Sequence, residues 1–403
     1  MNDAGSMRPR GGRGKLRLGL AGGGTGGHVV PGLNLVEHLV ATGRLEHILW
    51  LGSGRPAEVR ALGGLAQAAR DVPFRRVVLP LESQGGGAPG RLTTLRRLPR
   101  AVRLARAELR ASGCDALVGL GGFASASAAL AAKSLRLPLF LLEVNASAGL
   151  ATRALAPLAS RVFHATAASL PGGRAGARHR VVGPILAPAF EGPLPSAERV
   201  RELRAALGFD PARALLVVLG GSQGAGALNT FIAANIDPLV AGGLSVLHQV
   251  GPGRLGEAPA ARPHYRAVEY VDGVMAALDA ADLAIVRAGA SSLAEVAARR
   301  TPAIAVPYRL AAGDHQRLNA EALGAGVLLV PERDLGPPLA EKIVRLAGPD
   351  GDAQRRGLRS ALERLPAQRG AAAVADALEG CIRAAAALVV ARPRLAAGDG
   401  GPR

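Results

Sequence analysis

The sequence predicts an α/β protein built as two similar lobes that face each other across a cleft. Three observations carry this expectation. Short apolar runs alternate with stretches whose apolar residues recur at helical spacing. A strand, a glycine turn and the start of a helix occur in succession three times, the strand and turn falling at residues 16–27, 116–125 and 215–224. The first and third of these units are separated by about half the chain, as expected if one lobe repeats the plan of the other. In doubly wound sheets ligands sit outside the carboxyl ends of the strands, where such turns lie, so two facing lobes form a binding cleft.

The elements follow in order. Residues 16–21 form an apolar strand that feeds a turn of five glycines interrupted only by Thr25. Glycine admits positive φ and close approach of the backbone to a ligand, and a helix N-terminus offers free N–H groups to an anion. Leu33, Val36, Leu39 and Val40 mark the helix that follows, with Pro31 expected in its first turn. Residues 48–53 form the second strand, and no acidic residue closes it, so the dinucleotide fingerprint is incomplete. Residues 91–110 read as a basic amphipathic helix, with Arg96, Arg100, Arg103, Arg106 and Arg110 opposite Leu95, Leu98, Val102 and Leu109. Two readings of it stand: a solvated face over an ordinary core, or a surface resting on anionic phospholipid, where each arginine contributes about 1 kcal/mol. Residues 116–125 and 215–224 repeat the glycine device, the last with a helix opening near Ala225. The expected organisation is a disordered basic tail over 1–15, a first lobe over 16–183 and a proline-marked linker over 184–196. A second lobe follows over 197–365, then a helical segment over 366–391 that crosses back to the first lobe, and a mobile tail over 392–403.

Composition bounds the function. The chain has 403 residues, 49% hydrophobic and 20% charged, which fits two folded domains and not a disordered chain. The net charge of +18 comes almost wholly from arginine, yet aromatic residues are only 3%, and no basic-aromatic stretch resembles a nucleic-acid stacking platform. No nucleic-acid partner is therefore expected. Cys114 and Cys381 are far apart and fit a reducing compartment. No His or Cys spacing resembles a metal site, and no apolar run reaches the roughly 18 residues of a membrane span.

Candidate chemistry centres on His28, the only side chain of the first turn able to move a proton near neutral pH. Beside a helix N-terminus its imidazole is kept neutral and basic; the alternative is a structural ring that caps the glycine turn. Backbone N–H groups around Ser222 and Ala290, Ser291 and Ser292 are placed to receive an anion, with Ser222 otherwise an N-cap. Glu295 is read in the first turn of the helix after Ser292, where a carboxylate also suits the helix dipole.

Residues 22–33, 121–125, 142–149, 220–229, 287–295 and 314–320 together resemble the MurG family of peptidoglycan N-acetylglucosaminyltransferases, in order and over most of residues 16–345. The resemblance implies the GT-B fold, two Rossmann-like lobes around a cleft. It implies inverting, metal-independent transfer of N-acetylglucosamine from UDP to the C4 hydroxyl of lipid I, the undecaprenyl-diphosphate-linked muramoyl pentapeptide, giving lipid II. No cofactor is implied, and the expected location is peripheral, on the cytoplasmic face of the inner membrane. By the same resemblance His28 is the candidate base, and Thr25, Gly26 and Gly27 approach the transferring sugar or the acceptor diphosphate. Asn145 touches the sugar from the opposite lobe, and Ser222 belongs to the diphosphate loop. Val271 lies where main-chain groups read uracil, and Ala290, Ser291, Ser292, Leu293, Ala294 and Glu295 form the nucleotide-sugar segment, with Glu295 on the ribose hydroxyls. Gln316, with His315, reads hydroxyls of the N-acetylglucosamine ring.

Some positions depart from the family pattern. The run Gly183-Pro184-Ile185-Leu186-Ala187 lacks the asparagine and the arginine that the family carries there, and Leu142 and Val144 replace a histidine and a glutamine. The second loop reads Ser125-Ala126-Ser127 in place of Ser-Gly-Pro. These departures keep two other classes open. One is a GT-B transferase with a different lipid or small-molecule acceptor, and the other a non-catalytic sugar-nucleotide-binding relative. A nicotinamide oxidoreductase is a poorer match, because the ribose acid is missing.

Overall fold

The computed structural model describes residues 14–23, 26–81, 91–366 and 369–390. Thr25, nearly all of the expected N-terminal tail and the expected tail over 392–403 lie outside these residues.

Two parallel sheets organise the chain. The first holds β1 (Leu16–Gly22), β2 (Leu45–Gly52), β3 (Phe74–Val78), β4 (Ala116–Gly121), β5 (Leu139–Glu143), β6 (Arg161–His164) and β7 (His179–Val181), in the order β3-β2-β1-β4-β5-β6-β7. The second holds β8 (Ala214–Leu219), β9 (Leu244–Gln249), β10 (Tyr265–Val268), β11 (Leu283–Arg287), β12 (Ala303–Val306) and β13 (Leu328–Leu329), in the order β10-β9-β8-β11-β12-β13. Each sheet reverses its winding direction beside its first strand. That reversal makes a crevice at the carboxyl ends of β1 and β4, and another at β8 and β11.

Strands buried on both faces read as continuous apolar runs, and alternate residues feed opposite layers. Leu18, Leu20 and Val118 pack with the helix Gly26–Ala41 on one face of the first sheet. Ala21, Leu117 and Leu139 pack with Ala101, Ala105 and Ala128 on the other. The second lobe repeats the plan, with Leu215 and Val217 in one layer and Leu216 and Val218 in the other. The helix Gly370–Val390 belongs to the first lobe's core through Ala371, Val374, Ala375 and Leu378, although the second lobe precedes it in sequence. Arg44 anchors it through Asp376 at 2.6 Å.

The first helix begins at Gly26, a turn earlier than Pro31 suggests, so Pro31 lies inside it. The glycines let the turn pass straight into helix, and His28 is thereby carried in the first helical turn. In the basic helix Arg91–Ala111, Ala101, Ala105 and Leu109 are buried, while Arg96, Arg100, Arg103, Arg106 and Arg110 are exposed.

Candidate active site

The end of β1 is shaped by what glycine leaves room for. A Cβ on Gly23 would stand 2.1 Å from the carboxylate of Glu58, and one on Gly52 would stand 1.7 Å from it. Glu58 is only 1% exposed. Its carboxylate accepts the Ser53 N–H at 2.9 Å and the Ser53 hydroxyl at 2.6 Å. An acid therefore does stand at the end of β2, folded back from the helix Pro56–Ala61.

The second glycine turn closes against the first. Gly121 and Gly122 have φ of +105° and +77°. A Cβ on Gly122 would lie 2.8 Å from the Gly23 carbonyl, and one on Gly121 would lie 3.0 Å from Nε2 of His28. The Ser125 hydroxyl fastens this junction: it accepts the Gly121 N–H at 3.0 Å and lies 2.6 Å from the Ala21 carbonyl. His28 is held at the crossing of the two turns, with one ring N–H donated to the Gly23 carbonyl. Burial is the main influence on the ring and keeps its pKa below the usual histidine value, with His315 of the other lobe acting the same way. The Gly23 hydrogen bond and the Glu143 carboxylate oppose this shift without cancelling it. The imidazole is therefore neutral at pH 7, with one ring nitrogen carrying a lone pair.

Glu143, at the end of β5, organises the next loop. It accepts the N–H groups of Asn145 at 3.1 Å and Gly149 at 2.8 Å. Asn145 then meets the second lobe: its Oδ1 accepts from Asn319 Nδ2 at 3.2 Å, while Asn319 Oδ1 accepts the Ala146 N–H at 2.7 Å. Asn319 also donates to the Ala288 carbonyl at 3.3 Å, tying this contact to the end of β11. On the β2 side of the cleft, Arg60 donates to Gln223 Oε1 at 2.5 Å. The lobes thus touch on both sides of His28.

In the second lobe the third glycine turn packs on the chain that leaves β9. A Cβ on Gly224, at φ +70°, would meet the Val250 carbonyl at 2.1 Å. The following helix is Gly226–Ala241, and the residue before it is Ala225. Ser222 is exposed and lies too early to cap that helix. Beneath the turn, Asn229 Oδ1 meets His248 Nε2 at 3.1 Å, and His248 Nδ1 meets the Tyr265 hydroxyl at 3.1 Å. Burial brings His248 down to about 4, so this ring is neutral and structural. Gln249 donates to the Gly221 carbonyl at 2.8 Å and accepts the Val271 N–H at 3.3 Å, joining the third turn to the segment after β10.

The helix Ala290–Arg299 begins directly after Gly289, so Ala290, Ser291 and Ser292 supply its open first-turn N–H groups. Leu293 and Ala294 turn into the core. Glu295 lies in the second turn, not the first. The helix dipole falls off within the first turn and cannot account for its carboxylate. Burial dominates instead and raises the carboxyl to about 7. The same carboxylate, after burial, helps raise the Tyr270 phenol above its usual value. The Ser291 hydroxyl oxygen is buried without a hydrogen-bond partner among the described residues. Arg287 is engaged elsewhere, paired with Glu332 at 2.6 Å and lying over the Tyr308 ring. Gln316 Oε1 accepts the Tyr308 N–H at 2.8 Å.

The structure thus gathers His28 and Asn145 about Glu143, brings His315 towards His28, and places Glu295 beside Tyr270 and Val271. Sequence reasoning missed Glu58, Gln249, Asn319 and Arg60. Asn319 alone carried a signal, as a polar residue on the apolar spacing of its helix.

Two family models match the chain: the glycosyltransferase family 28 N-terminal domain over residues 18–164, and the glycosyltransferase family 28 C-terminal domain over residues 215–366. The UDP-N-acetylglucosamine–N-acetylmuramyl-(pentapeptide) pyrophosphoryl-undecaprenol N-acetylglucosamine transferase of Mycobacterium avium (strain 104) is 39% identical over 347 residues, covering 83% of this chain and 81% of the relative. The transferase of the same name from Verminephrobacter eiseniae is 40% identical, covering 81% of this chain and 89% of the relative. The chain belongs to this transferase family. Among solved structures, MurG of Acinetobacter baumannii matches with a TM-score of 0.66 at 22% identity, over 91% of this chain and 100% of that one. The calicheamicin glycosyltransferase CalG4 matches with a TM-score of 0.64 at 18% identity, over 94% and 100%. These two likenesses concern the fold, which is the GT-B arrangement that the family predicts.

Proposed function

We propose that this protein transfers N-acetylglucosamine from UDP-N-acetylglucosamine to the C4 hydroxyl of lipid I, forming lipid II in peptidoglycan synthesis, with inversion at the anomeric carbon and without a metal ion. The observation that carries the reading is the neutral His28 ring, held where two glycine turns cross and facing His315 of the other lobe. An inverting transfer needs the acceptor oxygen to attack opposite the leaving diphosphate, with a base to take its proton. The lone-pair nitrogen of His28 takes that proton, and the nearby Glu143 carboxylate favours the imidazolium that forms. Negative charge develops on the departing UDP. It meets the N-termini of the helices Gly226–Ala241 and Ala290–Arg299, which no described side chain caps, and the Ser291 hydroxyl, which has no hydrogen-bond partner among the described residues. Glu295 accepts the ribose hydroxyls, main-chain groups at Val271 read uracil, and Gln316 with His315 reads the sugar. Asn145 touches the sugar from the first lobe, Gly26 and Gly27 approach the sugar or the acceptor diphosphate, and Ser222 approaches the donor diphosphate from the second lobe.

Among the described residues no helix is long and apolar enough to cross a membrane. The exposed arginine row of Arg91–Ala111 suits a peripheral seat on anionic phospholipid at the cytoplasmic face, where the lipid carrier is presented.

The test is transfer of labelled N-acetylglucosamine from UDP-N-acetylglucosamine to a short-chain lipid I analogue in the presence of a chelator. A β-linked disaccharide product is expected. UDP binding without product would overturn the acceptor assignment, and product that appears only when Mg²⁺ is restored would overturn metal independence.

A further inference from the structure

Beyond the Asn145–Asn319 contact, on the β5–β6 side of the cleft, the two lobes line an open cavity of about 570 Å³. Ala146, Arg153 and Ser169 stand on the first-lobe wall; Leu318 and Glu321 stand on the second-lobe wall. The Glu321 carboxylate is held by Arg317 of its own helix. The Arg153 guanidinium, on the helix Leu150–Leu155, has no carboxylate partner among the described residues. The cavity therefore offers a cation on one wall and a fixed carboxylate on the other, with main-chain groups between them.

One loop runs from the reaction centre to this cavity. The Glu143 carboxylate, which acts on His28, accepts the N–H groups of Asn145 and Gly149 at the loop's two ends. Ala146, Ser147 and Ala148, between those ends, line the cavity. A substrate arm that follows this loop away from the reacting hydroxyl meets the cavity wall.

The acceptor supplies such an arm. The relatives' names describe an N-acetylmuramyl-(pentapeptide) group on a pyrophosphoryl carrier. On muramic acid the peptide hangs from the lactyl ether at C3, next to the C4 hydroxyl, whereas the carrier diphosphate hangs from C1 across the ring. The peptide thus starts beside His28 and departs in a different direction from the carrier. Five extended residues span at most about 17 Å.

We propose that the inter-lobe cavity is the subsite for the acceptor's peptide, with Arg153 pairing with a peptide carboxylate. The proposal rests on the acceptor assignment above. It makes Arg153 a specificity residue that reads the peptide and takes no part in the proton transfer or in donor binding.

The experiment compares the full-length protein with Arg153→Ala on three short-chain acceptors: one with the complete peptide, one with every peptide carboxylate amidated, and one with no peptide. With the complete peptide, Arg153→Ala raises the acceptor KM about tenfold, the lower end for a charged hydrogen bond at a partly exposed site. The donor KM and kcat stay unchanged. The wild-type protein shows the same loss when the peptide is amidated, and Arg153→Ala then adds nothing. With no peptide, the two proteins have equal acceptor KM. A rise of equal size on all three acceptors, or no rise on any, overturns the subsite. Absence of transfer by the wild-type protein to any of the three sinks the acceptor assignment itself, and the subsite with it.

Discussion

In the first lobe, the glycine turns press against one another and against a titratable ring. Gly122 stands over the Gly23 carbonyl, Gly121 over His28, and the Glu58 carboxylate fills the space that Gly23 and Gly52 leave. In the second lobe, the third turn packs tightly underneath, on Val250 and Gly251; the helix that follows starts beside the Arg254 guanidinium, and no described side chain caps it or the helix beginning at Ala290. The first arrangement fixes a proton acceptor; the second keeps hydrogen-bond donors available for an anion. On the proposed function the same backbone device serves two kinds of chemistry, and the side chains that fill or leave the space beside it decide which. Substitution of His28 gives the largest break between the lobes. His28→Ala should lower kcat by about 10²–10⁴-fold, the usual share of a positioned base, while UDP affinity stays within about twofold. Single-turnover kinetics with calorimetric UDP binding measures both. Unchanged turnover would make the ring a structural plug over Gly121.

Glu295 sharpens the comparison from the donor side. Its carboxyl titrates at about 7 because it is buried, and ribose hydroxyls donate best to the ionised form. UDP affinity should therefore weaken as pH falls from 8 to 6. Glu295→Gln should flatten that dependence and raise the donor KM about tenfold, with a smaller change in kcat. The sign for stability is opposite. A carboxyl whose folded pKa lies above its unfolded value stabilises the fold at low pH and loses that contribution as pH rises from the unfolded value to about 7. Glu295→Gln should thus be more resistant to urea than the wild-type protein at pH 8, by on the order of 2 kcal/mol, and no more resistant at pH 4. A donor KM that ignores both the substitution and the pH would remove Glu295 from the ribose.

Much of this comparison was legible in the sequence, for a physical reason. Glycine turns after apolar strands are local features, and their spacing along the chain encodes the two-lobed plan. The helix starts were misjudged where local rules compete. Pro31 is tolerated inside Gly26–Ala41, and Gly289 opens its helix early enough to put Glu295 in the second turn. What stayed hidden depends on distant chain segments meeting. Glu58 reads as an ordinary acid near a helix N-terminus, and only the fold shows that two glycines were needed to admit its carboxylate. Asn319 and Asn145 are 174 residues apart, so no local pattern announces their contact.

That contact supports the smallest kinetic effect. Asn319 gives an acceptor to the buried Ala146 N–H and donors to Asn145 and Ala288, so Asn319→Ala strands groups in both lobes. The loss should be about 1–3 kcal/mol of stability, the cost of leaving a buried partner unsatisfied. Asn319→Asp keeps the acceptor for Ala146 and loses only the donors, so its melting point should fall between the alanine variant and the wild-type protein. Kinetically, donor and acceptor KM should rise together by a few-fold, because the contact sets how the lobes face each other and touches neither substrate alone. A rise confined to one substrate would place Asn319 within that substrate's site, and unchanged KM values with a lowered melting point would reduce the contact to structural support.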